Sequence, residues 1–215
     1  MRLPLIERGK RAIISGRTGS GKTTAAVWLL SRSPGRWIVL DTKRDELLGS
    51  IGEVVPMRSR YANDERYLIV RPDTFDPEEI DDWIYSLSER SRDIGLFIDE
   101  LYYLHVNGRA GDGLVGWLTR GRSKGQSFIG CTQRPAWVSR FCFSEADYLA
   151  EFSLNLPEDR KRLYEFTGRE SSFRKLRAHY WRWYDVQHDK QYVYAPVPLA
   201  GLRERFIRPV VDTAS

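Results

Sequence analysis

One stretch, Gly16-Arg17-Thr18-Gly19-Ser20-Gly21-Lys22-Thr23, limits what this chain can fold into more than any other. It follows a short apolar run, Ala12-Ile13-Ile14 with Ser15, and precedes a helix-like run from Thr24 to Leu30. A glycine, four residues and then Gly-Lys-Thr between a strand and a helix is the spacing of a P-loop. Gly16, Gly19 and Gly21 lack a Cβ, so the backbone can curl and turn successive N–H groups inward. Those donors and the positive end of the following helix make a cradle for polyphosphate. There Lys22 reaches the β- and γ-phosphates and the Thr23 hydroxyl is placed to ligate Mg2+. The loop and its first helical residues, Gly16 to Thr23 with Thr24, are therefore the expected nucleoside triphosphate site.

The remaining chain is long enough to build a core round that loop. Its 215 residues suffice for one α/β domain and are too few for two large ones. Hydrophobic residues are 41% and charged residues 29%, the profile of a globular protein in water. The formal net charge of +5 is compatible with a nucleic-acid partner without requiring one. Cys131 and Cys142 are too few for a disulfide framework or a zinc site and fit a reducing, intracellular setting. Met1 to Lys10 holds no long apolar core, so no signal peptide is expected. No apolar run approaches the roughly 20 residues that span a bilayer.

Along the chain, strand and helix signals alternate. Strands are expected at Arg11–Ser15, Trp37–Asp41, Tyr67–Arg71, Ile94–Asp99, Ser127–Thr132 and Tyr148–Leu154. Helices are expected at Thr23–Arg32, from Asp76-Pro77-Glu78-Glu79 to about Arg90, from about Leu114 to Arg122, and at Pro157–Thr167 with Gly168 past its end. A short helix starts within Pro135–Arg140. Residues 44–65 read as irregular, with room for a hairpin or insertion, and residues 107–113 as a glycine-bearing loop. Phe173 to Val197 reads as a late hairpin turning at Asp189-Lys190, and residues 199–215 as a tail. Such alternation implies a parallel sheet with helices on both faces. Right-handed crossovers then bring the P-loop, Asp99-Glu100 and Gln133 to one carboxyl edge.

Those residues form a catalytic pattern. An apolar strand ending in Asp99-Glu100 is a Walker B motif: Asp99 holds Mg2+ opposite Thr23, and Glu100 orients or deprotonates the attacking water. Gln133, at the end of the next strand, can contact both the γ-phosphate and that water as a sensor, the reading favoured over a capping or turn amide before Pro135. Arg120 and Arg122 close the preceding helix. Either is an arginine finger for a neighbouring subunit or a solvated basic helix end, and the residues alone leave the two open.

The motifs Gly16-Arg-Thr-Gly-Ser-Gly-Lys-Thr23, Asp41-Thr-Lys43, Leu96-Phe-Ile-Asp-Glu100 and Gly121-Arg-Ser-Lys-Gly125 through Thr132-Gln-Arg-Pro135 occur in the order found in the FtsK–HerA superfamily. Over residues 10–155 the chain resembles these ring-forming DNA pumps. By its length it is similar to the genome-packaging ATPases of membrane-containing icosahedral viruses such as tectivirus-like phages. The resemblance implies a three-layer, RecA/FtsK-like α/β fold with a mainly parallel central sheet, here with a small C-terminal β-hairpin and tail. The resemblance does not cover the tail; length and the element pattern give one domain over residues 1–215, with a core at about 10–155 and the C-terminal helix, hairpin and tail at about 156–215. The resemblance also implies ATP as the nucleotide, Mg2+ as its companion, Glu100 and Lys22 as catalytic residues and Gln133 as sensor. The finger falls on Arg122, with Arg120 second, acting in trans. The implied partners are double-stranded DNA, further copies in a homo-hexamer on DNA or at a capsid vertex, and vertex proteins, in host cytoplasm or virion.

For DNA, the basic candidates are Arg58, Arg60 and Arg66, the Asn107-Gly108-Arg109 loop, and the Arg174 to Trp183 stretch. For the last, aromatic core and solvated arginines are the preferred reading. Two other functions fit a P-loop: a nucleoside or small-molecule kinase, against which Glu100 speaks, and a filamentous-phage or secretion-type assembly ATPase, which usually carries a transmembrane segment.

Overall fold

A computed structural model describes residues 4–59 and 65–207. In chain order the elements are β1 (Arg11–Ser15), α1 (Lys22–Arg32), β2 (Arg36–Leu40), α2 (Glu46–Gly49), β3 (Glu53–Pro56), β4 (Tyr67–Arg71), α3 (Pro77–Arg90) and β5 (Ile94–Ile98). There follow β6 (His105–Val106), β7 (Arg109–Ala110), α4 (Asp112–Thr119), β8 (Ser127–Thr132), α5 (Arg140–Ser144), β9 (Tyr148–Glu151), α6 (Pro157–Thr167), β10 (Trp181–Asp185), β11 (Lys190–Tyr194) and α7 (Glu204–Ile207).

A nine-stranded sheet runs β11-β10-β9-β1-β8-β5-β2-β4-β3. Every pairing from β9 to β3 is parallel, and β10 joins β9 antiparallel. Period-two alternation splits the apolar strands between two cores: Ala12 and Ile14 face α1, whereas Ile13 faces the side covered by α3 and α4. The first core also holds Ala25, Ala26 and Leu29 of α1, and the second holds Ile80, Ile84, Leu114 and Trp117. α3 begins as its sequence implies, with the Asp76 carboxylate accepting from the Glu78 N–H at 2.9 Å and Pro77 in the first turn.

Several segments differ from the sequence expectation. Residues 44–59 form α2 and the edge strand β3, which pairs parallel with β4, so no hairpin forms there. The glycine-bearing loop contains a tight antiparallel pair, β6 with β7, turning at Asn107-Gly108. α4 starts two residues early because buried Asp81 of α3 accepts the Gly113 and Leu114 N–H groups at 2.7 and 2.9 Å. It stops at Thr119; Arg120–Lys124 tightens into a 3-10 turn closed by Gly125 at φ 69°. The C-terminal hairpin extends the main sheet, held by a buried Arg182–Glu151 ion pair at 2.9 Å and by Trp181 stacked on Phe152. The tail turns back as well: Leu202 is buried and Phe206 meets Tyr67 edge-on, ring centroids 4.6 Å apart.

Candidate nucleotide site at the carboxyl edge of the sheet

The P-loop leaves β1 at the carboxyl edge. The Gly16 N–H donates to the Thr132 carbonyl at 3.1 Å, and the Arg17 N–H to the Ser153 carbonyl at 3.1 Å, so the loop is tied to both neighbouring strands. A Cβ at Gly16 would lie 2.5 Å from Phe152 Cβ and 2.7 Å from Ser20 Oγ, a gap that only glycine fits. Gly21, at φ 102°, turns the chain into α1. The Lys22 ammonium is buried and donates to the Arg17 carbonyl at 3.3 Å, and burial pulls its pKa down. The Ser20 hydroxyl is buried without a partner. An unpaired hydroxyl and a desolvated ammonium at a helix start fit an anion.

The Thr23 hydroxyl donates to Asp99 Oδ1 at 3.3 Å. Burial raises the Asp99 pKa to about 6, with Lys43 opposing and the other nearby acids adding to the rise. A hydroxyl and a desolvated carboxylate side by side are a hard-oxygen pair of the kind Mg2+ takes, so these residues fit that ion. Glu100 is wholly buried; its Oε1 accepts the Gln133 backbone N–H at 3.0 Å and its Oε2 pairs with the Lys43 ammonium. The Gln133 side chain accepts from the Thr18 hydroxyl and donates to the Tyr102 hydroxyl at 3.3 Å. One amide thus bridges the P-loop and the residues after Walker B. The turn beyond it is clamped by α6, where Asp159 accepts from Arg134 Nε at 3.1 Å and from the Ala136 N–H at 3.0 Å.

A cavity of about 500 Å³ opens over the loop. Thr18, Gly19, Gly21, Lys22, Thr23, Thr24 and Asp99 line it from the residues expected. Its other wall, formed by Phe152, His179, Pro196, Val197 and Leu199, carried no signal in the sequence. Lys43, also in the lining, had a signal in Asp41-Thr42-Lys43 but no role. Arg17 is exposed and serves through its backbone.

Arg120 and Arg122 lie elsewhere. They precede Ser127, where β8 begins, whereas the P-loop sits beside Thr132, where β8 ends; five strand residues separate the two edges by roughly 17 Å. Arg122 contacts Asp147 at 3.4 Å and Arg120 contacts Glu89 at 3.5 Å, both half exposed. Among the DNA candidates, Arg58 pairs with Glu79 at 3.1 Å, Arg66 donates to the Ser33 carbonyl, and Arg60 lies outside the described residues. Arg109 is exposed in the β6–β7 pair. Trp181 is buried, as expected of a core aromatic, whereas Arg182, expected to be solvated, is buried and held by its ion pair with Glu151.

A parallel sheet with a P-loop, a Walker B pair and a glutamine at one carboxyl edge defines a P-loop nucleoside triphosphatase of FtsK–HerA type. The chain is 31% identical over 205 residues to the DNA packaging ATPase P9 of Enterobacteria phage PRD1, a match spanning 89% of this chain and 88% of that one. It belongs to the family of that packaging ATPase and is an ATPase. Its fold matches the genome packaging NTPase B204 of Sulfolobus turreted icosahedral virus 2, solved with AMPPCP, at a TM-score of 0.73 and 18% identity over 88% of this chain and 98% of that one. The N-terminal domain of zonular occludens toxin from Neisseria meningitidis matches at a TM-score of 0.52 and 12% identity over 92% and 98%. No family model matches the chain. Among the described residues, no helix is long and apolar enough to cross a membrane.

Proposed function

We propose that the protein is an ATP-hydrolysing motor that moves double-stranded DNA and packages a viral genome into a preformed capsid. The observation that carries this reading is the identity to a packaging ATPase over nearly the whole chain, together with the P-loop, Asp99, Glu100 and Gln133 side by side at one sheet edge. The chain works as one domain, and the motor as a homo-hexamer on DNA or at a capsid vertex, in host cytoplasm or virion.

The P-loop and Lys22 hold the triphosphate. Thr23 and Asp99 would hold Mg2+, which would supply positive charge to the phosphate oxygens. Glu100 takes a proton from water as the water oxygen bonds to the γ-phosphorus; the bond from that phosphorus to the β–γ bridging oxygen breaks, giving ADP and phosphate. Gln133 orients that water and carries the change to Tyr102 and the Thr18 end of the loop. Arg122 completes the site of a neighbouring subunit, its distance from its own P-loop being the support for a trans role.

ATP hydrolysis measured with and without long double-stranded DNA tests this, beside Glu100→Gln and Arg122→Ala. DNA-stimulated turnover is expected, lost in each variant and restored on mixing them, because an Arg122→Ala subunit keeps Glu100 and borrows a finger. Turnover indifferent to DNA and to Arg122 would leave the nucleotide site standing and remove the motor.

A further inference from the structure

Glu100 is held in a way that the hydrolytic step does not use. A general base must present an accessible lone pair to the water, yet both of its oxygens carry a partner, Oε1 the Gln133 N–H and Oε2 the Lys43 ammonium. Lys43 differs from a purely structural counter-ion. Its side chain is 37% exposed while Glu100 is wholly buried, and it lines the same cavity as Lys22, Thr23 and Asp99. Its backbone cannot drift. Asp41, two residues before it, is buried and accepts from Arg71 Nε at 2.9 Å and from the Asp45 N–H at 2.9 Å. Asp45, two residues after it, caps α2 through the Leu47 and Leu48 N–H groups. A flexible four-carbon stem thus swings from a fixed root. The ammonium groups of Lys22 and Lys43 repel each other across the cavity. An anion seated over the P-loop relieves that repulsion and competes with Glu100 for Lys43.

We propose that Lys43 is a latch on the general base, released by the γ-phosphate. Without a third phosphate Lys43 stays on Glu100 and the base is spent. With a triphosphate in the cavity Lys43 turns to the γ-phosphoryl oxygens, and Oε2 is free to accept the proton while Oε1 keeps the Gln133 N–H. This rests on the nucleotide-hydrolysis reading above and adds a check that ties the base to an intact substrate.

The test is equilibrium binding, by calorimetry, of ADP and of a non-hydrolysable ATP analogue to wild type, Lys43→Met, Glu100→Gln and the double variant. Releasing the latch costs the wild type part of its affinity for the third phosphate, so Glu100→Gln is expected to bind the analogue about tenfold tighter, with ADP within about twofold. The double variant is expected to lose that gain, since Lys43 is what the analogue recruits. It also removes the buried unpaired carboxylate that Lys43→Met leaves behind, so folding does not confound the comparison. An analogue-to-ADP affinity ratio that Glu100→Gln leaves unmoved overturns the latch, as does a gain that survives loss of Lys43. Wild type that binds neither nucleotide overturns the hydrolytic reading and the latch with it.

Discussion

Gly16→Ala tests whether the P-loop is shaped by close packing as well as by its own sequence. A methyl group built there sits 2.5 Å from Phe152 Cβ and 2.7 Å from Ser20 Oγ. Carbon atoms in good contact lie about 3.5–4.0 Å apart, so the loop or its neighbour must give by about 1 Å. Ser20 can rotate its hydroxyl away; Phe152 cannot yield, since the clash is with its Cβ and its ring is buried and stacked on Trp181. The loop itself therefore lifts. Overpacking of this kind costs about 1–3 kcal/mol, and the upper end applies because the obstructing atom belongs to a backbone-fixed position. For a chain of this size that lowers Tm by about 6–12 °C. A cradle displaced by about 1 Å also loses aligned N–H groups, so affinity for a fluorescent ATP analogue is expected to fall at least about tenfold. Gly19→Ala is the control: its Cβ would meet nothing within 4 Å, and only its φ of 71° opposes it, at about 1 kcal/mol. Thermal unfolding and analogue binding on both variants decide the matter. Equal Tm losses, or Gly16→Ala with wild-type affinity, would refute the argument from packing.

Asp99 gives a pH dependence in metal-free protein. Its native pKa of about 6 lies above the unfolded value near 3.8, so the native state binds the proton first and stability is present at low pH and lost as pH rises through 6. In EDTA, Asp99→Asn is expected to gain about 3 kcal/mol on wild type at pH 7.5 and nothing at pH 3.5, read from chemical denaturation; parallel curves would rule this out. Arg182→Met leaves Glu151 as a buried uncompensated carboxylate beside the P-loop strand and is expected to cost about 3–5 kcal/mol, whereas replacing both partners with apolar residues costs far less. Burial pushes the Cys131 and Cys142 thiols up, the latter to about 12, so neither should react with iodoacetamide at pH 8 until the protein unfolds, as mass spectrometry would show. Phe206→Ala should lower Tm by several degrees if the returning tail is bound as described, and leave it unchanged if it is not.

What could be read from the sequence was what is written locally. β1, the P-loop and α1 are contiguous, and their glycines and apolar run state their geometry without help. Parallel strands joined by right-handed crossovers end at one carboxyl edge, which is why Asp99, Glu100 and Gln133 could be set at the loop's edge from the sequence. Contacts made by distant residues were silent. Lys43 meets Glu100 across 57 positions, and Asp81 caps α4 from 32 positions upstream, which moved the helix start away from Leu114. The far wall of the cavity depends on β10 pairing with β9 and on the chain after β11 returning over α1, and neither event leaves a periodic mark at Pro196, Val197 or Leu199.

If Arg122 acts in trans as proposed, its place on the sheet edge opposite the P-loop has a consequence for assembly. A patch that serves a different patch on the next copy makes a heterologous contact, one that a two-fold dimer cannot use twice. Joined this way, an open row of subunits always has one catalytic edge without a donor at its end, and only closure of the ring removes it. Activity per subunit should then rise with the completeness of the circle and reach its full value only when the last gap is filled, so that the motor runs where it is closed and idles as fragments.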